Sequence, residues 1–236
     1  MDQIIKGILD GLRLLFTGDP ALWNIIGVSA RMSGSALLIS AFISLPVGAF
    51  LGLVRFRGKR LVQALVYTGM GLPPVVVGLA VYLLLSRSGL LGPLNWPWIP
   101  QLFTVKAMIL AQVIIATPLV VGYTMSAVAG VSQDLRLQLQ SLGATRAQVT
   151  LAVLNEARTG VIVALVGGLG SIISEVGAVM LVGGNIEGET RVLTTAIMLE
   201  TRQGDWSVAI GLGMVLLLLS FMINFGVAQL QGKAAG

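Results

Sequence analysis

The 236-residue chain is 56% hydrophobic and only 11% charged, with a formal net charge of +5 and a mean hydropathy of +0.92. Soluble domains carry about 25% charged residues and cannot conceal so much apolar surface, so this composition excludes them and calls for a bilayer. The absence of Cys and His removes disulfides, thiolate chemistry, Cys/His zinc sites and histidine acid–base catalysis.

Residues 1–20 open the chain with Ile4, Ile5, Ile8, Leu9, Leu12, Leu15 and Phe16 on one helical face, against Gln3, Lys6, Asp10 and Arg13 on the other. The charges interrupt any signal-peptide core, so cleavage is not expected. The pattern predicts an amphipathic helix, either lying on the membrane surface or packed on the bundle.

A spanning helix needs about 20 mostly apolar residues. Stretches of that kind predict spans at about 32–54, 61–86, 107–130, 159–182 and 206–231. The expected fold is thus an all-α integral membrane protein with five transmembrane helices, or six if the N-terminal helix inserts. Ala36, Ser40, Ser44, Gly48 and Gly52 form a small-residue ridge on the first span, and Gly160, Ala164 and Gly168 form one on the fourth. Such ridges allow close helix contact. Pro73-Pro74 should kink the second span, and Pro46 and Pro118 should bend the first and third.

Four positive charges in the turn Arg55-Phe56-Arg57-Gly58-Lys59-Arg60 place that turn in the cytoplasm. Segment 132–155 and the C-terminus then lie inside and the N-terminus outside. Trp23, Trp96, Trp98 and Trp206 all fall at the external membrane edge, as half of an aromatic belt.

Two segments do not read as lipid-facing helix. In 132–155, Ser132 is a helix cap, Asp134 sits in the first turn, and Leu135, Leu139 and Leu142 recur among polar residues. Gly143 should break this helix before a second one leads back to the membrane. Such a helix either docks in a groove on a partner or is simply solvated. Gln138-Leu-Gln-Ser-Leu-Gly-Ala-Thr-Arg-Ala-Gln148 resembles the cytoplasmic loop of type I ABC importer permeases in its Gly143-Ala144 pair. The acidic residue and paired alanines of that loop are replaced by Leu137, Gln138 and Leu139, and its downstream Leu-Pro by Asn155-Glu156.

The second segment runs from Ser174 to Ile197, with Glu175-Val-Gly-Ala178 and Val182-Gly-Gly-Asn-Ile-Glu-Gly-Glu-Thr-Arg-Val-Leu-Thr-Thr-Ala-Ile197. It resembles molybdate and tungstate permeases, most of all the tungstate branch. Pro73-Pro74-Val-Val-Val-Gly78 is similar to the same family, and the resemblance spans about residues 24–230. On physical grounds, an acid within an apolar segment faces protein or water. Glu175 is therefore either part of the pathway or its gate, or the partner in a structural hydrogen bond. Gly183-Gly184-Asn185 should end the fourth span, Thr190 should cap a short external helix stopped by Gly204, and Asp205 should cap the fifth span.

The resemblance implies the type I ABC importer (MetI-like) architecture in a prokaryotic inner membrane, with alternating access for an oxyanion, tungstate first and molybdate or sulfate as alternatives. It implies two nucleotide-binding ATPase subunits, a second copy of the permease as a homodimer, and an extracytoplasmic substrate-binding protein, all in contact with lipid. Docking of the ATPase is expected at Arg136, Gln138, Gln140, Ser141, Gly143, Ala144 and Arg146. Gate candidates are Glu175, Asn185, Pro73 and Pro74. Gly58-Lys59 and Gly232-Lys233 lack the spacing of a phosphate-binding loop. No catalytic residue, metal, cofactor or nucleic-acid partner is therefore expected of this chain, and ATP and Mg belong to the partner subunit. A passive channel or structural subunit is the reading from a different class, and it would need no ATPase.

Overall fold

The computed structural model describes residues 19–94 and 96–235. The expected N-terminal amphipathic helix, and with it the possible sixth span, lies outside the described residues.

Asp19 opens the first helix, α1 (Pro20–Leu53), accepting hydrogen bonds from the Ala21 and Leu22 N–H groups at 2.8 and 3.0 Å. Proline at the first helical position fits because its missing donor would have been an orphan anyway. The helix therefore begins twelve residues before the expected span and takes in Arg31. Its 34 residues correspond to roughly 50 Å, well beyond a hydrocarbon core of about 30 Å.

The stretch expected as one kinked second span is two helices, α2 (Lys59–Met70) and α3 (Pro74–Leu85), bent by 95°. Pro73 and Pro74 lack amide protons, and Gly71 caps α2, so no helical hydrogen bonds carry across the junction. Pro46 and Pro118, by contrast, lie inside continuous helices.

Helix α4 (Val105–Ala129) is the hub. Thr104 caps it, and buried residues run along its length from Ala107 to Val128. The small-residue ridge of α1 packs on it. A Cβ on Gly48 would stand 2.7 Å from Thr124 Cβ, and one on Gly52 2.7 Å from Val128 Cβ. The Ser44 hydroxyl donates to Thr117 O at 3.2 Å. On another side, Gly160 and Gly168 bring α7 (Arg158–Ser174) against Ala127 and Val120. Gly69 of α2 seats on Pro118. In lipid, where apolar helices gain nothing from leaving water, this close packing is what holds helices together.

Between α4 and α7, α5 (Gln133–Ser141) and α6 (Arg146–Glu156) form a hairpin at the end of the bundle that carries the 55–60 turn. Helix α6 bends by 53° into α7. At the opposite end, α9 (Leu193–Gln203) lies across α1 and α10 (Trp206–Ala235), burying Leu22, Leu193, Ala196, Leu212 and Val215 together. Asp205 caps α10 through Val208 N–H at 3.3 Å, as the sequence predicts. Among the described residues, three helices are long and apolar enough to cross a bilayer, and the total is five when each of the two bent pairs is one span.

The fourth span does not run to residue 182. Helix α7 stops at Ser174, and after Glu175-Val176 a separate short helix, α8 (Gly177–Gly183), begins.

Candidate functional site: two broken helices and a polar hairpin

A helix broken in an apolar region leaves carbonyl and amide groups that only protein can satisfy. Four polar side chains gather at the α7–α8 break to do this. The Glu175 carboxylate accepts from Ala178 N–H at 2.9 Å and caps the restarted helix. The Glu175 carbonyl accepts from the Thr194 hydroxyl at 3.0 Å. Gln112, fully buried on α4, donates from Nε2 to Ile172 O at 3.4 Å. The Ser174 hydroxyl turns back to Gly170 O at 2.8 Å. Glu175 is half-buried and sits at a junction between helices, not within one.

The same junction meets the other break. A Cβ on Gly78 would lie 2.5 Å from Ala178 Cα, and one on Gly177 would lie 2.5 Å from Val75 Cγ2. Helices α3 and α8 therefore touch backbone to backbone near their N-terminal ends. The structure thus joins the Pro73–Gly78 and Glu175–Ala178 motifs, which are about a hundred residues apart in sequence. A cleft of about 240 Å³ opens beside the α2–α3 break, lined by Pro73, Pro74, Val77, Ile115 and Ser171 among others.

Asn185 lies at the far end of α8. Gly184 (φ 71°) and Asn185 (φ 52°) both take the left-handed conformation, which Gly and Asn tolerate best. Thr190 does not cap α9, because its hydroxyl is engaged in this turn. It donates to Gly183 O at 2.6 Å and accepts from Ile186 N–H at 2.9 Å. Helix α9 starts after Val192 instead, and Thr195 Oγ1 accepts from Val192 N–H at 3.1 Å. Thr190 is buried, so Thr190→Val orphans two backbone groups and should cost about 1–3 kcal/mol. A lowered melting midpoint in detergent checks this, with Thr201→Val, on an exposed hydroxyl, as the mild control.

In the hairpin, Ser132 caps α5 by accepting from Leu135 N–H at 3.3 Å. Gly143 takes φ 82°, and Thr145 and Gln148 form a capping box that starts α6. Gln138, Gln140, Ser141, Gly143 and Arg146 are exposed, while Ala144 is half-buried. Arg136 points back into the protein, donating from Nη2 to Val128 O at 3.2 Å. Leu139 packs with Val128, Val149 and Val153. Leu142 does not share that face and is 83% exposed, and Leu137 is 54% exposed. Leu151 on α6 is also exposed, so these three leucines are apolar features of the hairpin that a partner groove would take, and grouping Leu142 with Leu135 and Leu139 on one periodic face concealed its exposure.

The charge of Glu175 and its hydrogen bond are separable. Glu175→Gln keeps an acceptor for Ala178 N–H, whereas Glu175→Ala loses a cap worth about 1 kcal/mol. Transport by the Gln variant should stay near wild type and by the Ala variant should fall. Equal loss in both would show that the negative charge itself is required.

An all-helical bundle of up to five spans, two of them bent, with a helical hairpin at one end, is the architecture of a type I ABC importer permease. The chain belongs to the binding-protein-dependent transport system inner membrane component family, whose family model matches residues 44–234. It is 40% identical over 231 residues to the tungstate uptake system permease protein TupB of Peptoclostridium acidaminophilum, covering 98% of this chain and 99% of that protein. It is 43% identical over 220 residues to a probable anion ABC transporter permease protein of Haloferax volcanii, covering 91% and 93%. Its fold matches that of an inward-facing MetNI methionine ABC transporter chain with a TM-score of 0.73 at 19% identity, over 92% of this chain and 98% of that one. The chain is thus a multi-pass inner-membrane permease.

Proposed function

We propose that this chain is the translocating subunit of an ATP-driven importer of a tetrahedral oxyanion, with tungstate as the cargo. The observation that carries this reading is the backbone contact of the two broken helices, α3 on α8, in a chain that aligns end to end with a tungstate permease. Molybdate and sulfate share the shape and charge of tungstate and are the competing cargoes.

The chain works in this reading as one half of a homodimer. ATPase subunits, which bind ATP and Mg, dock on the α5–α6 hairpin at Gln138, Gln140, Ser141, Gly143 and Arg146, with Leu137 and Leu142 as apolar anchors. Arg136 and Ala144 support that surface from within. Closure of the ATPases moves the hairpin, α6 and α7 follow, and α8 pulls on α3. Packed helices shift as rigid bodies between discrete arrangements, so the breaks at Pro73-Pro74 and Glu175-Val176 are the natural pivots. Asn185, at the external end of α8, moves with it.

The N-terminus is external and the C-terminus cytoplasmic. The Arg/Lys turn at 55–60 and the hairpin share one end of the bundle. Trp23, Trp96, Trp98 and Trp206 are exposed and belong to the other end. Among the described residues, no Lys or Arg lines the cleft beside the α2–α3 break, so anion choice rests with the external binding protein that delivers the cargo. The test is uptake into proteoliposomes holding permease and ATPase, with and without the binding protein, in the presence of tungstate, molybdate or sulfate. Uptake should require the binding protein and follow its preference. Equal, selective uptake without it would overturn the assignment of selectivity.

A further inference from the structure

Two cavities meet where the α1–α2 turn faces α5. One, of about 420 Å³, is lined by Arg55, Lys59, Arg136, Gln133 and Gln140 beside the ends of α1 and α4. The other, of about 540 Å³, shares Arg55 and Lys59 and adds Arg60 and Gln63. No Asp or Glu lines either among the described residues; Asp134 lies on α5 outside both. Arg136 lines the first cavity, with its Nη2 held by Val128 O at 3.2 Å and its Nε shielded from solvent. Lys59 Nζ spends one donor on Val54 O at 3.0 Å and keeps two more. Left to themselves, these cations repel one another, which costs stability unless an anion sits among them.

The surroundings say which anion offsets that cost. The cup opens at the end of α1, where Phe50 and Phe56 stack at 5.9 Å and remain exposed, with exposed Val54 between them in sequence. An apolar strip running into a cationic cup matches an amphiphile, with chains along the strip and a phosphate in the cup. Basic pockets between helices at a membrane edge take lipid head groups in this way. We propose that the Arg55–Lys59–Arg136 cup is a binding site for the head-group phosphate of an anionic phospholipid, which ties the turn to the hairpin. The site is independent of which anion is transported.

Native mass spectrometry of the full chain, released from mixed phosphatidylglycerol and phosphatidylcholine micelles, counts the retained lipid. The wild type should retain phosphatidylglycerol in preference. Arg55→Gln and Lys59→Gln should each weaken retention about five-fold, and together about thirty-fold. Arg55→Lys should keep most of it. Arg57 lies in the same turn but lines neither cavity, so Arg57→Gln should have a much smaller effect. An Arg57→Gln loss equal to that of Arg55→Gln would reduce the effect to diffuse charge and overturn the site. No preference for phosphatidylglycerol would overturn it too. Saturable occupancy by inorganic phosphate, displacing the lipid at similar concentration, would assign the cup to a free anion and overturn the lipid reading.

Discussion

Gly78→Val is expected to abolish most transport. Position 78 is where α3 meets α8, and a Cβ there would stand 2.5 Å from Ala178 Cα and 2.9 Å from Ala178 Cβ. The nearest atom is backbone, so no rotamer change relieves the overlap; one helix must move. Overpacking of this kind costs about 1–3 kcal/mol where the surroundings give way. Here the helices also lack a hydrophobic force to draw them back together, because separated apolar faces are covered by lipid at no loss. If the contact transmits motion from α7 to the α2–α3 break, its loss removes a coupling of about 1–3 kcal/mol, a 5- to 150-fold drop in uptake. Gly27 on α1 is the matched control, since a Cβ there meets nothing within 4 Å. Gly78→Val should lose uptake and melting temperature while Gly27→Val keeps both. Parity between them would remove the α3–α8 contact from the mechanism.

Leu142→Asp is expected to detach the ATPase without disturbing the permease. The side chain is 83% exposed at the end of α5, so folding gains almost nothing from it. An apolar anchor that serves as a hot spot of a partner surface behaves differently, and its loss costs about 2 kcal/mol or more, about a thirty-fold fall in affinity. The variant should purify with normal yield and melting temperature but fail to retain the ATPase or couple hydrolysis to uptake. Gly143→Asp next door should act less severely. It places a side chain where φ is 82° but where a Cβ meets nothing within 4 Å, and Asp is among the residues that enter this region most readily. If Leu142→Asp co-purifies with the ATPase at wild-type levels, the docking surface is elsewhere.

What the sequence reveals divides along the range of the interaction. Ser132, Gly143 and Asp205 act on residues within a few positions of themselves, and their roles as caps and breaks are visible in the chain. The ridge at Ala36, Ser40, Ser44, Gly48 and Gly52 is likewise periodic, and it packs as the period implies. The α7–α8 break is not visible, because an acid in an apolar run has the same sequence signature whether the helix continues or stops. What distinguishes the cases is Thr194, 19 residues on, and Gln112, 60 residues before Ile172, and only the fold brings them there. Gln112 is a lone amide in the third apolar span, and that was the available signal. Thr190 carried a cap's residue type but is claimed by Gly183 and Ile186, which hold it in an earlier turn. At Pro73-Pro74 the sequence announces a disturbance but not its size; the 95° turn depends on Gly71 ending α2 and on α8 receiving α3. Leu142 shows the limit of periodicity, since one residue past the end of α5 the chain leaves the helical face that Leu135 and Leu139 define.

This permease is expected to move an oxyanion only when an ATPase drives it. The most direct measurement is time-resolved uptake of radiolabelled tungstate into proteoliposomes that contain permease, ATPase and binding protein. Each arm receives ATP-Mg or a non-hydrolysable analogue on the ATPase side. Accumulation above the external concentration with ATP, and none with the analogue or without the ATPase, is the expected result. Equilibration of tungstate across the membrane by the permease alone would make it a passive channel and contradict the account.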